Sequence, residues 1–244
     1  MSSHDTTDAL YAKLLNKVDA FVFDDKVAGV FDDMINRSVP GYRTVVGLTG
    51  IIAEHFYQDQ SRCYDLGCSL GATTLAMAQR LPAGASIIGI DNSPAMIERC
   101  RKNINHIQPN IDITLSCQDI LDTDINKASV IAMNYTLQFI PLEKRQHLIQ
   151  TLYDGMLPGA ALLLSEKIIL DNAIDDELFT ELHHDYKRAN GYSDLEISQK
   201  RSALDNVLIR DDLDTHHTRL TQAGFSRIQT WFQCFNFISL VAIK

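Results

Sequence analysis

The run Tyr64-Asp65-Leu66-Gly67-Cys68-Ser69-Leu70-Gly71-Ala72 limits the fold of this chain more than any other stretch. It reads as a short apolar strand with an acid near its end, followed by a glycine-bearing turn that opens a helix. A strand leading through such a turn into a helix begins a βαβ unit, and βαβ units build parallel sheets. The turn also leaves backbone uncovered. Glycine takes left-handed dihedrals without steric cost and carries no side chain to obstruct a ligand.

From Arg62 onward the pattern repeats. Apolar runs near 63–66, 86–91, 112–116, 130–134 and 161–165 read as strands, with helices near 72–81, 94–104 and 142–154. Pro94 falls in the first turn of its helix, behind Asn92 or Ser93 as cap. A further helix is expected near 213–223. The runs 225–233 and 237–244 are too close for a crossover helix, so 225–244 should form an antiparallel hairpin. The expected fold is α/β: a doubly wound, mostly parallel seven-stranded sheet, the Rossmann-like arrangement of methyltransferases.

Two elaborations frame that sheet. Val27, Val30, Phe31, Met34 and Ile35 recur at helical spacing, Ser38-Val39-Pro40-Gly41 interrupts, and 42–56 resumes, so residues 1–60 should be helical. Residues 171–206 form a charged, helix-favouring insertion. Following a strand, it should lie as a lid over the carboxyl edge, where ligands of open α/β sheets sit. The 244 residues suit one domain spanning 1–244.

No apolar run approaches the roughly 20 residues of a membrane span, and residues 1–8 are polar, without the apolar stretch of a secretory signal. Five cysteines, an odd number without a CxxC pair, argue against a disulfide framework and a structural zinc site, and for a reducing cytoplasm. The net charge of -9 disfavours extended contact with nucleic acid.

The glycine spacing narrows the ligand. A dinucleotide fingerprint needs glycine at its first, third and sixth positions, where this turn has Gly67, Ser69 and Ala72. Gly67 and Gly71, four apart behind an acidic strand end, are instead the arrangement found in S-adenosylmethionine (SAM) enzymes. Asp65 would face the ammonium group of such a ligand, directly or through water. Asp91 ends the second strand, placed to accept both hydroxyls of a ribose. Asn92 would lie beside the adenine. Asp119, after the third strand, would accept from an exocyclic amino group while Ile120 offers its backbone amide. Asn134 ends the fourth strand, at the expected cleft floor. Polar groups at successive strand ends converge on one place.

Other candidates are weaker. Lys187, Arg188 and Lys200 form a local basic set that suits an anionic substrate or, equally, a solvated helix face. His183 and His184 point in different directions on a helix and lack a third ligand at i+4, so no metal is expected. Trp231, Phe232, Phe235 and Phe237 read as core and contact residues of the hairpin, and a homodimer is expected. On these residues alone, an ordinary methyltransferase acting on a small acceptor and a SAM-binding protein without turnover both fit.

Longer stretches are more specific. They include Arg37-Ser38-Val39-Pro40-Gly41-Tyr42, the segment 90–100, Leu137-Gln138-Phe139, and His183-His184-Asp185-Tyr186-Lys187-Arg188-Ala189-Asn190-Gly191-Tyr192. Glu196-Ile197-Ser198-Gln199-Lys200-Arg201 and Trp231-Phe232-Gln233-Cys234-Phe235-Asn236-Phe237 complete the set. Over nearly its whole length the chain resembles the carboxy-S-adenosyl-L-methionine (carboxy-SAM) synthase family. The resemblance implies that Tyr42, Gly67, Cys68, Ser69, Asp91, Asn92, Asp119, Ile120 and Asn134 hold the nucleoside and amino acid parts of SAM. It further implies that Arg201 grips the carboxylate that distinguishes carboxy-SAM, a task suited to the bidentate guanidinium fork. The implied reaction converts SAM and prephenate to carboxy-SAM and phenylpyruvate, supplying the carboxymethyl donor for a tRNA wobble uridine. No metal is implied. Ala160 departs from the pattern, since the family commonly has a second glycine there.

Overall fold

A computed structural model describes residues 7–244. The strands β1 (Arg62–Leu66), β2 (Ser86–Asp91), β3 (Asp112–Cys117), β4 (Ala128–Asn134) and β5 (Met156–Lys167) pair in parallel. They are joined by β6 (Arg227–Cys234) and β7 (Phe237–Ile243), an antiparallel hairpin whose β7 pairs antiparallel to β5. The order across the sheet is 3-2-1-4-5-7-6. The chain builds outward from β1 to β3, then returns through β4 to the other side of β1. Open α/β sheets bind ligands beyond the carboxyl ends at such a reversal.

The helices are α1 (Asp25–Ser38), α2 (Tyr42–Phe56), α3 (Ala72–Ala78), α4 (Pro94–Ile107), α5 (Leu142–Gly155), α6 (Ala173–Ala189), α7 (Asp194–Leu204) and α8 (Leu213–Ala223). Strand alternation decides which of them covers each face. Cys63, Ile87, Val130 and Leu163 point to one side and pack with Ala53 of α2 and Met77 of α3. Tyr64, Ile131 and Leu162 point to the other and meet Leu148 and Leu152 of α5 and Leu220 of α8. Each fully buried aliphatic side chain contributes about 1.5–3 kcal/mol. The expected doubly wound sheet and terminal hairpin are both present.

The helical caps follow the sequence. Ser93 accepts from the Met96 amide with Pro94 inside the first turn, and Ser193 and Glu196 cap α7 reciprocally. Gly41 starts α2 at φ 75°, and a Cβ there would lie 2.4 Å from the Phe232 ring. Buried Arg145 ties α5 to the segment ahead of α8. Its guanidinium pairs with Asp211 at 2.7 Å and donates to the carbonyls of Ile140, Gln138 and Ile209.

Three expectations need correction. Residues 7–24 contain no helix, so the expected helical region begins at Asp25; residues 1–6 lie outside the described residues. This segment is instead strapped to α7 by polar contacts. The Gln199 amide donates to the carbonyls of Tyr11 and Lys13 (2.9 Å each) and accepts from the Leu15 amide, while Phe21 N donates to Ala203 O. Such pairing satisfies the backbone without helical periodicity. Next, β5 begins at Met156 rather than 161, because Met156 pairs with Ala128 ahead of a register shift, and Gly159 takes φ 77° there. Finally, α3 stops at Ala78, three residues short of the expected end.

Candidate active site

A cavity of ≈ 450 Å³ opens at the carboxyl edge. Its floor is the turn after β1. Gly67 has φ 79°, Ser69 φ 48° and Gly71 φ 88°. A Cβ on Gly67 would lie 2.2 Å from Thr136 Oγ1, and one on Gly71 2.7 Å from Cys100 Sγ. Both glycines are therefore required twice, by dihedral and by space. The amides of Gly67 and Cys68 donate to Ile90 O at 2.8 and 2.9 Å, pinning the turn to the end of β2.

Asp91 is fixed by the same turn. Its Oδ2 accepts from the Ser69 amide and its Oδ1 from the Ser93 amide, each at 2.9 Å. Burial raises its pKa, opposed by these two amides. Each carboxylate oxygen keeps acceptor capacity for a further donor, so the group fits a vicinal diol. Asp119 spends Oδ1 on the Leu121 amide (2.9 Å), capping a short 3-10 turn, Ile120–Asp122. Asn134 is oriented from both ends: its amide donates to Thr73 Oγ1 (3.2 Å) and its oxygen accepts from Ser165 Oγ (2.7 Å). Tyr42 packs toward Tyr135 with ring centroids 6.3 Å apart, and burial holds both phenols protonated.

Tyr42, Gly67, Cys68, Ser69, Asp91, Asn92, Asp119, Ile120 and Asn134 all line this one cavity. Two of the expected site residues, Asp65 and Arg201, lie outside the cavity lining. Asp65 shares strand parity with Cys63, so it turns beneath α3, where it is 1% exposed and accepts from Thr74 Oγ1 at 2.6 Å. It is not among the residues that line the cavity. Arg201 is exposed on α7 and is not among the residues that line the cavity. Successive helical residues diverge by about 100°, and it is Lys200 that faces inward. The Arg201 charge still reaches the site, lowering the pKa of Lys167 and Lys187.

The insertion supplies a wall with a different character. Lys187 and His183 of α6, Lys200 of α7 and Lys167 at the end of β5 line the cavity opposite the glycine turn. Burial, more than mutual repulsion, depresses all three lysines: Lys167 and Lys200 to about 7, Lys187 to about 8. His183 Nε2 donates to Ser38 O at 2.7 Å, so its Nδ1 accepts from Lys167 Nζ at 3.3 Å. Burial keeps that imidazole neutral. Arg188, the third member of the expected basic set, is exposed and paired with Asp185 and Asp194. Lys167 carries no sequence signal, and His183 suggests only a metal site that its neighbours do not complete; position in the cavity distinguishes both. Tyr135, with φ 58°, is another lining residue that no motif singled out.

Relatives match the chain over nearly its whole length. A methyltransferase domain family matches residues 64–159. The carboxy-S-adenosyl-L-methionine synthase of Trichlorobacter lovleyi is 55% identical over 98% of this chain and 98% of its own. The chain belongs to the carboxy-SAM synthase family. The enzyme of the same name from Yersinia enterocolitica is 50% identical over 97% of this chain and 90% of its own. Among solved structures, magnesium protoporphyrin IX methyltransferase from Synechocystis with bound SAM superposes with TM-score 0.57 at 17% identity, covering 93% of this chain and 86% of that one. That likeness confirms the methyltransferase fold. The methyltransferase domain match ends at 159, so the insertion lies outside it, while the carboxy-SAM synthase relatives match across nearly the full chain.

Proposed function

We propose that the protein converts SAM and prephenate to carboxy-SAM and phenylpyruvate. One observation carries this reading beyond family membership. The cavity that gathers the nucleoside-type residues continues to a wall of three lysines, two of them buried, which is more positive charge than the single carboxylate of a sulfonium donor calls for. An anionic second substrate and a carboxylated product call for it.

The reaction balances without a metal or oxidant. Prephenate loses carbon dioxide from its ring carbon and hydroxide from the opposite ring carbon, and aromatisation drives both departures. A sulfonium makes its methyl hydrogens weakly acidic, so hydroxide removes one as water. The resulting ylide carbon bonds to the carbon dioxide, and SAM becomes carboxy-SAM. The residues of this chain orient the two substrates, exclude water and provide positive charge for the new carboxylate. Asp91 takes the ribose hydroxyls, Asp119 and Ile120 the adenine edge, and the turn from Gly67 to Ser69 the amino acid part.

The product would serve as carboxymethyl donor for a tRNA wobble uridine, and the chain would work in the cytoplasm. We also infer one domain and a homodimer. Ile174, Leu178 and Leu182, at 76%, 51% and 36% exposure, form a row four residues apart on α6 that a second copy would cover. Among the described residues no helix is long and apolar enough to cross a membrane. The deciding experiment incubates the protein with SAM and prephenate. Phenylpyruvate in the medium and a mass gain of one carboxyl on SAM are expected together. Formation of S-adenosylhomocysteine alone, or no product, would overturn the reading.

A further inference from the structure

We propose that Lys187, with Lys167 and Lys200 beside it, holds the carboxylate that the second substrate retains through the reaction. The assignment deepens the proposed reaction and rests on it. Lys187 is 9% exposed, lines the cavity, and its ammonium has no hydrogen bond or ion pair among the described residues. Its neighbours are engaged. Lys200 Nζ lies 3.2 Å from Ser38 Oγ and 4.0 Å from Asp8 Oδ2, and Lys167 Nζ lies 3.3 Å from His183 Nδ1. Two ammonium groups are thus set in place by protein atoms, and the third is open to the cavity. Its charge is felt by both of the others, which places the three in one cluster.

A buried cation without a partner is costly to maintain, and an anion between the lysines relieves that cost. SAM suits the position less well, because its one carboxylate is outweighed by its sulfonium and ammonium and the molecule as a whole adds positive charge to the cluster. A dicarboxylate suits it. The two carboxylates of the substrate have different fates, and that difference selects one of them. The ring carboxylate leaves as carbon dioxide while its charge drains into the ring. An ammonium bound there would stabilise the ground state more than the transition state and slow the step. The pyruvyl carboxylate keeps its full charge from substrate to product. Binding energy spent on it orients the substrate without opposing the chemistry.

The test measures phenylpyruvate formation with prephenate varied at saturating SAM, the Ki of phenylpyruvate, and the SAM Kd by calorimetry. Wild type, Lys187→Met and Lys187→Arg are compared. Losing one hydrogen bond to a charged group corresponds to about 10- to 150-fold in affinity. Lys187→Met should raise the KM for prephenate and the Ki for phenylpyruvate by that factor, leaving the SAM Kd within about twofold. Lys187→Arg should recover part of the loss. If Lys187→Met melts early, Lys187→Gln replaces it in the same comparison. An unchanged KM in an active variant overturns the assignment, as does a SAM Kd that rises in step with KM. A raised KM with an unchanged phenylpyruvate Ki places the lysine on the departing carboxylate and overturns it too. Wild type that makes no phenylpyruvate refutes the underlying reaction instead.

Discussion

Replacing Asp91 by Asn isolates the work of one carboxylate at the cofactor turn. Asp91 accepts one backbone amide on each oxygen, from Ser69 and Ser93, at 2.9 Å. An Asn side chain offers one oxygen and one NH2 group, so one of those amides must face another donor whichever way the group turns. The ribose suffers the same loss, since its two hydroxyls can both donate to a carboxylate but not to an amide nitrogen. A hydrogen bond to a charged acceptor contributes about 1.5–3 kcal/mol. One such bond lost to the ribose therefore weakens SAM about 10- to 150-fold. Stability responds differently, because two effects oppose. The orphaned amide costs about 1–3 kcal/mol, while removing a carboxylate whose pKa is raised by burial relieves part of a desolvation penalty. At about 2–4 °C per kcal/mol for a chain of this size, the apo Tm should fall by only a few degrees. Calorimetric titration with SAM and thermal melts of the apo protein check both numbers. A SAM Kd within about twofold of wild type would refute the ribose contact.

Other perturbations test separate parts of the structure. Gly67→Ala places a residue at φ 79° with its Cβ 2.2 Å from Thr136 Oγ1; backbone strain alone costs about 1–2 kcal/mol, so melts should show a lower Tm and titration a SAM affinity reduced more than about tenfold. Adding Thr136→Ala should relieve the collision but not the strain, restoring part of each. Asp65 has its pKa lifted by burial from 3.8 to about 7. A raised folded pKa means that its contribution to stability is full below the unfolded value and is lost as pH rises through about 7. Asp65→Asn should therefore gain on wild type in urea unfolding between pH 5 and 8, and a difference constant across that range would refute the burial of the carboxyl. Arg145→Met removes a 1% exposed guanidinium from Asp211. Breaking a buried pair costs about 3–5 kcal/mol, and Arg219, 2.9 Å from the same carboxylate, should hold the loss to the lower end in urea titrations.

Much of the site is legible in the sequence because parallel strands end at one edge. Once Gly67, Asp91, Asp119 and Asn134 are placed at or just beyond strand ends, pairing such as Leu66 with Ile90 and Asn134 with Ser165 brings them together. Asp65 shows the limit of that reasoning. Its strand position is legible in the sequence, but parity carries its side chain under α3, against Thr74. The insertion was harder still. Lys187 and Arg188 are adjacent, as are Lys200 and Arg201, and in each pair one side chain lines the cavity while the other is exposed. Nothing in composition distinguishes the members of these pairs. Lys167 is not marked by the sequence because the apolar run ends at 165, two residues before the observed end of the strand.

By itself, the order of residues determined the alternating α/β architecture, the glycine turn and the polar strand ends, since each depends on local dihedral preference and short-period burial. Tertiary packing alone decided the inward face of the insertion. That face is set by distant partners: Ser38 from α1 meeting His183 and Lys200, and the irregular segment 7–24 anchored on Gln199 and Ala203. A helix carries charged side chains around its whole circumference, and only what packs against it selects the ones that are desolvated.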